Sequence, residues 1–399
     1  MSFRNPRSPI WALIVMAGLA TAARADVDAV VEWNHKAGDL IAESKIGTPP
    51  AVRVMAIVQT AVADAARAAA GDPSRVQAAV AAANRTTLLQ LLPAQQASIA
   101  AAFQAASATI PDGPAKQSGL AVGQDAAARV LAARADDGAG KPAAYRPFAG
   151  AGVYVPTSAP AVPQGAARKP WLLSNAGQFL PPGPPALDSA EWARDYQEVR
   201  ELGARASSRR SPEQTEIARF WEYSLPAIYF GVVESVARQP GRDPVRNASL
   251  YAAAAQAMDD ALIAVFDAKY HHHFWRPITA IRNGDLDGHD GTERDPSWTS
   301  LIDAPLHPEY PSGHSVLAAS IGAVLKAELG AQAGVTLATR SPTAKGAVRQ
   351  WSRVDDFVQE VSDARVWAGI HFRSATKAGE TMGWRIGELA GRRWLQPAH

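Results

Sequence analysis

An all-α fold is predicted by three features of the chain. Apolar residues recur at three- and four-residue intervals in "VVEWNHKAGDLIAES" and "VRVMAIVQTAVADAARAAA", the spacing of one buried helix face. Alanine is abundant throughout the first third, and it combines the highest helix propensity with a side chain small enough for close helix contact. No long alternating strand pattern and no internal repeat interrupts this picture. With 399 residues, 47% of them hydrophobic and 20% charged, the chain can bury a large core.

The first 25 residues stand apart. Arg4 and Arg7 precede the apolar stretch "IWALIVMAGLATAA", and Ala23-Arg24-Ala25 fits a small-x-small cleavage site before Asp26. The apolar run is shorter than the ~20 residues a span requires, so the segment reads as a cleaved secretory signal. A periplasmic or secreted protein with no membrane span after cleavage is the expectation. Cysteine is absent, so disulfides, zinc thiolates and thiol nucleophiles are excluded even though export would permit the first. A formal charge of +2, from 40 basic and 38 acidic residues, gives no reason to expect nucleic acid as a partner. Nothing in the sequence specifies an oligomeric state.

From 26 to about 134 the reading is a helical scaffold, with Gly71-Asp72-Pro73 and Pro111-Asp112-Gly113 as breaks. Residues 135–187 are too rich in Gly and Pro for a long helix. They read as an ordered strap anchored by Tyr145, Phe148, Tyr154 and Trp171, and they close an N-terminal unit spanning 26–187. A helical core follows over 188–399. "LDSAEWARDYQEVREL" opens with an Asp-Ser cap, and "SPEQTEIARFWEYS" has Ser211-Pro212 as cap and first-turn proline. "VRNASLYAAAAQAMDDALIAVFDAKY" is a long apolar helix. After an irregular stretch over about 283–311, helices are expected from near Ser312, around 345–363 and near 376–394.

Lys269 and Arg276 lie seven apart, a spacing that on one helix brings both to nearly the same face. Pro277 biases Arg276 away from helical geometry and places its guanidinium at the helix mouth. Two such cations repel unless an anion lies between them. "HPEYPSGHS" then sets Ser312, Gly313 and His314 before an apolar helix, where a hydroxyl, free amides and the helix dipole favour negative charge. In "DARVWAGIHFRS", Arg365 adds a third cation and His371 a second imidazole. Three cations, a hydroxyl, an amide nest and two histidines suit a multiply charged tetrahedral oxyanion.

The ordered set Lys269-x6-Arg276-Pro277, Pro311-Ser312-Gly313-His314 and Arg365-x5-His371 resembles the signature shared by vanadium-dependent haloperoxidases and type 2 phosphatidic acid phosphatases. "DAKY", "FWRPITAIR", "GVYVPT" and "SPEQTEIARFW" resemble its bacterial haloperoxidase-like branch, so the likeness extends over most of the chain. The resemblance implies a helical bundle of that type. It also implies vanadate as cofactor, held by Lys269, Arg276, Ser312, Gly313 and Arg365, with His371 as the axial ligand. Hydrogen peroxide, a halide and an organic acceptor would be the reactants, with His314 managing the proton and Lys269 polarising the peroxide. The same pocket could instead run phosphate-ester hydrolysis with no cofactor, through a phosphohistidine at His371 and protonation by His314. A non-catalytic anion-binding protein is a third reading.

The long N-terminal portion favours the haloperoxidase reading, because the small exported phosphatases lack much of it. His307, seven residues before His314, resembles algal bromoperoxidases rather than fungal chloroperoxidases, which have phenylalanine there; bromide or iodide is then the expected halide. Two departures stand out. The family often has Ser before the arginine and an acidic residue four after the histidine, where this chain has Ala364 and Ala375. Some other acceptor, a backbone carbonyl or Ser374, then has to orient the His371 ring. Trp275, Trp367 and Phe372 are expected to wall the pocket, with Asp267 and Asp363 as candidate partners of its cations. The triplet His271-His272-His273 is read as spacer, because successive helical residues point about 100° apart and cannot converge on one metal.

Overall fold

The computed structural model describes residues 28–330 and 334–396; the signal reading at 1–25 lies outside them. Five helices come first: α1 (Ala29–Ser44), α2 (Thr48–Ala68), α3 (Pro73–Leu91), α4 (Gln96–Ala108) and α5 (Pro114–Ala133). Asp28 and Asp72 cap α1 and α3 by accepting from the Val30 and Arg75 amides, and prolines occupy the first turns of α2, α3 and α5. Gly119 and Gly123 let α5 lie directly on α3: a Cβ at either would overlap the Arg75 or Ala79 carbonyl.

Residues 134–189 form the strap, whose secondary structure is two short 3₁₀ turns and one isolated bridge from Val153 to Phe274. It is ordered by buried polar contacts. Arg168 forks onto Asp259 at 2.7 and 2.6 Å, Trp171 Nε1 donates to the same carboxylate at 2.8 Å, and Asp260 accepts from the Trp171, Leu172 and Leu173 amides. Arg134 lies over the Trp171 ring at 3.3 Å. Tyr154 is buried and Trp171 half-buried, as expected of anchors. Phe148 is not one of them, for it is 52% exposed and touches His273 only edge-on.

The core helices are α6 (Ala190–Leu202), α7 (Pro212–Phe220), α8 (Ala227–Ala237), α9 (Pro244–His272), α10 (Pro277–Arg282) and α11 (Gly313–Leu329). After them come β1 (Leu337–Ser341), β2 (Ala347–Trp351), α12 (Val354–Trp367) and α13 (Arg373–Trp394). Helix α9 is buried over most of its length and packs against α1, α2, α8, α11 and α13, which makes it the axis of the bundle. A glycine row on α13, Gly379, Gly383, Gly387 and Gly391, sets that helix against α11. A Cβ at Gly379 would sit 2.7 Å from the Ser312 carbonyl oxygen.

Three local expectations are corrected. The helix assigned to 345–363 begins only at Val354, and residues 347–351 are instead a strand paired antiparallel with β1, Leu337 opposite Trp351. The last helix starts at Arg373 rather than near 376. Helix α9 closes at His272, with His273 left-handed at φ 53°, so Arg276 does not share a helix with Lys269; it is the N-cap of α10.

Candidate active site

Lys269 sits in the last turn of α9, fully buried. A buried ammonium needs all three of its donors met. The loop before α11 meets them: Lys269 Nζ donates to the carbonyls of Pro308 (3.0 Å), Glu309 (2.8 Å) and Pro311 (2.6 Å). Arg276 reaches the same loop from the other side. Its Nε donates to the His307 carbonyl (3.0 Å), Nη1 to that of Ile370 (2.8 Å) and Nη2 to that of Pro308 (3.3 Å). The sequence suggested two cations aimed at an anion, whereas here both also act as clamps that fold residues 307–311 over the end of α9.

Arg276 touches both flanking histidines, Nη1 at 3.3 Å from His371 Nε2 and Nη2 at 3.0 Å from His307 Nδ1. His307 in turn packs edge-on against Phe266 at 5.2 Å. His371 follows a turn at Gly369, whose φ of 77° and contact with Gly203 exclude any side chain. The short Gly203–Gly369 approach brings the end of α6 against this turn and fixes where His371 emerges.

Ser312 caps α11. Its amide donates to the Ala375 carbonyl at 3.0 Å and its hydroxyl is 3.1 Å from Ser315 Oγ, which Ser362 on α12 also reaches. Beside it nothing lies within 4 Å of where a Gly313 Cβ would be, so the first amides of α11 are open to a ligand. His314 Nε2 and Arg365 Nε are buried with no partner among the described residues. Arg365 is held from behind, where its Nη1 donates to the Trp221 carbonyl. Trp221 Nε1 is tied at 3.0 Å to Glu360, which also takes a bidentate grip from Arg349 on β2. The hairpin thereby supports Arg365.

Sequence reasoning missed Glu309. Its Oε1 lies 2.8 Å from His371 Nδ1 and accepts the Phe372 amide at 2.9 Å. Ser374, one expected acceptor, is instead engaged with Asp195 through both its amide and its hydroxyl. The only available signal was the glutamate inside "HPEYPSGH". The other expected partners are also placed elsewhere. Asp363 pairs with Arg373, and Asp267 makes no ion pair with Lys269, Arg276 or Arg365 among the described contacts. Trp275 and Phe372 are buried in an aromatic cluster with Trp192, whereas Trp367 is half-buried against a separate apolar group that includes Leu301, Ile302 and Ile370. His271 is exposed, His272 contacts the Pro181 carbonyl and His273 stacks on Tyr145, so the triplet faces the strap.

Burial dominates the electrostatics. It pulls the Lys269 ammonium well below its usual range, helped by Arg276 and opposed by Glu309. It depresses His307, His314 and His371 well below a normal histidine, with the surrounding cations adding to the effect. All three rings are therefore neutral at pH 7. Arg276 and Arg365 are drawn down to about 10 by the same desolvation and stay charged. Burial pushes Glu309 up to about 8 while Arg276 and Lys269 act against it.

Residues 249–398 match a family described as the VCPO second helical-bundle domain. Vanadium chloroperoxidase of Curvularia inaequalis is 26% identical over 183 residues, 38% of this chain. Over this C-terminal part the chain is similar to vanadium chloroperoxidases. The match spans only 29% of that fungal enzyme's length. Solved structures agree with the fold. A bacterial vanadium-dependent iodoperoxidase superposes with a TM-score of 0.76 at 23% identity, over 92% of this chain and 97% of the other. A bacterial vanadium-dependent chloroperoxidase in its holo form gives 0.67 at 19%, over 87% and 92%. This haloperoxidase-type bundle fits a tetrahedral oxyanion on its own chemistry: unpartnered Arg365 Nε and His314 Nε2, open α11 amides and a neutral His371 are gathered at one place.

Proposed function

We propose that the chain is an exported vanadate-dependent haloperoxidase that oxidises bromide or iodide with hydrogen peroxide. The observation that carries this reading is the His371 ring. Its Nδ1 faces Glu309, its Nε2 stands beside Arg276, and burial and the surrounding cations disfavour its protonation. Such a nitrogen can serve as a ligand to a metal oxyanion. Arg365 and the Ser312–Gly313 amides would hold the anion's oxygens, Lys269 and Arg276, whose donors are met by the loop, would contribute positive charge, and His371 would be its protein ligand. Bound there, vanadate supplies a Lewis acid that activates hydrogen peroxide without changing its own oxidation state.

The remaining work falls to the chain's own groups. His314, neutral and with Nε2 unpartnered, can take a proton from an incoming hydroperoxide and later return it. Arg365, with Nε free, offsets the negative charge that results. His307 at Arg276 supports preference for the larger halides, as does the likeness to an iodoperoxidase. Export is supported by the sequence of residues 1–25. The test is halide oxidation with peroxide, with and without orthovanadate, run beside hydrolysis of a chromogenic phosphomonoester. Vanadate-dependent oxidation of iodide and bromide, lost completely in His371→Ala and severely reduced in Lys269→Ala, is expected. Ester hydrolysis without any halide oxidation would replace this reading with the phosphatase one.

A further inference from the structure

Glu309 contacts more of the site than any ligand role requires. Its amide donates to the Phe274 carbonyl at 2.9 Å, its own carbonyl accepts from Lys269, and its carboxylate reaches His371 across 62 residues of sequence. It is fully buried. Arg276 and Lys269 stand close by and oppose the cost of burying it. The direction of the hydrogen bond follows from its neighbour. Glu309 Oε1 accepts the Phe372 amide and Oε2 has no partner among the described residues, so any carboxyl proton falls on Oε2 and the imidazole Nδ1 meets Oε1 as a donor. The other ring nitrogen, Nε2, then carries the lone pair. Ser374 and Ala375 are engaged elsewhere: the Ser374 amide and hydroxyl both serve Asp195, the Ala375 carbonyl serves Ser312, and alanine has no acceptor in its side chain.

We infer that Glu309 is the positioning residue of the site: it holds His371 in the Nδ1–H tautomer, so that the Nε2 lone pair, which faces Arg276 Nη1 at 3.3 Å, can pass to a bound oxyanion, and so favours an anion whose central atom accepts that lone pair over one that takes only hydrogen bonds. This rests on the haloperoxidase reading of the site. It also separates two effects that oppose each other. Removing an acidic group from a cationic shell leaves purely electrostatic anion binding unchanged or stronger, whereas releasing the ring weakens bonding to Nε2.

The experiment compares wild type, Glu309→Ala and Glu309→Gln. Long-range ¹H–¹⁵N spectra of ¹⁵N-histidine-labelled apoprotein report the tautomer, with the His371 signals identified by their loss in His371→Ala. Calorimetric titration with orthovanadate and with sulfate reports the two kinds of binding. In Glu309→Ala, His371 is expected to leave the Nδ1–H form, with vanadate affinity falling by about 10- to 100-fold and sulfate affinity unchanged or tighter. Glu309→Gln keeps an acceptor without the charge, so it should retain the tautomer and show a smaller loss of vanadate preference. An unchanged tautomer in Glu309→Ala overturns the inference, and so does a parallel loss of both anions. If Glu309→Ala does not fold, an unchanged vanadate-to-sulfate ratio in Glu309→Gln overturns it. Wild type that binds vanadate no better than sulfate, while the tautomer still shifts in the variant, would defeat the haloperoxidase reading and leave the role of Glu309 standing.

Discussion

Arg276 shows how much of this site depends on the geometry of one side chain. Its planar fork serves three carbonyls and lies against two imidazoles at once, which a single ammonium cannot do. Arg276→Lys leaves buried carbonyls unmet at about 1–3 kcal/mol each. It should therefore lower the urea midpoint clearly and remove most halide oxidation together; a variant with full activity would exclude the clamp. His307→Phe is expected to retain oxidation but shift its preference toward chloride, measured as the ratio of chloride to bromide turnover. Lys269, Arg276, Ser312, His314, Arg365 and His371 were legible because each lies in a short local phrase. Glu309 was not, since its meaning is a contact with a residue far away in the chain.

At the scale of elements, the α11–α13 contact is the tightest packing that bears on the site. Gly383→Ala adds helix propensity worth up to about 1 kcal/mol, but the new methyl would strike the Val316 carbonyl and lie 2.7 Å from Ala319 Cβ. Overpacking costs about 1–3 kcal/mol, so the net effect should be a lower unfolding midpoint. Helix α1 is joined to α8 by His35 Nε2 at 2.8 Å from Glu234. The hydrogen bond to Glu234 raises the His35 pKa above its usual value. A raised histidine contributes stability fully below its unfolded pKa and loses it as pH rises through the folded one. His35→Gln should therefore lower Tm at pH 5.5 and change it little at pH 8.5; half-exposure of the ring keeps the effect small. The hairpin escaped sequence reading because its inward residues include Thr339 and Ser341. These are buried by hydrogen bonds to the Ile228 and Phe220 carbonyls, so polarity alternates without hydrophobicity.

For the molecule as a whole, the strap is fastened to the site region by hydrogen bonds to the end of α9 and the loop before α11. Asp259 is fully buried under Arg168, and taking away one partner of such a pair costs about 3–5 kcal/mol. Arg168→Met should lower Tm and open the strap to proteolysis between residues 135 and 187, mapped by mass spectrometry of limited digests. Cleavage confined to other segments would show that the lock lies elsewhere. The strap also binds the end of α9, through Tyr270 to the Ala161 carbonyl and the Tyr154 amide to that of His273. Loss of the lock is therefore expected to weaken halide oxidation as well as stability.

The sequence by itself determined the helical class, the caps and breaks of most helices, and the kinds of group gathered for an oxyanion. Those are properties of short stretches: periodicity, propensity and the chemistry of neighbouring side chains. Tertiary structure alone decided that Lys269 and Arg276 clamp a loop, that Arg365 leans on a hairpin through Trp221, and that the carboxylate facing His371 comes from Glu309. Each of these is a hydrogen bond forced by burial, and which acceptor a buried donor finds depends on what the folded chain brings within about 3 Å of it.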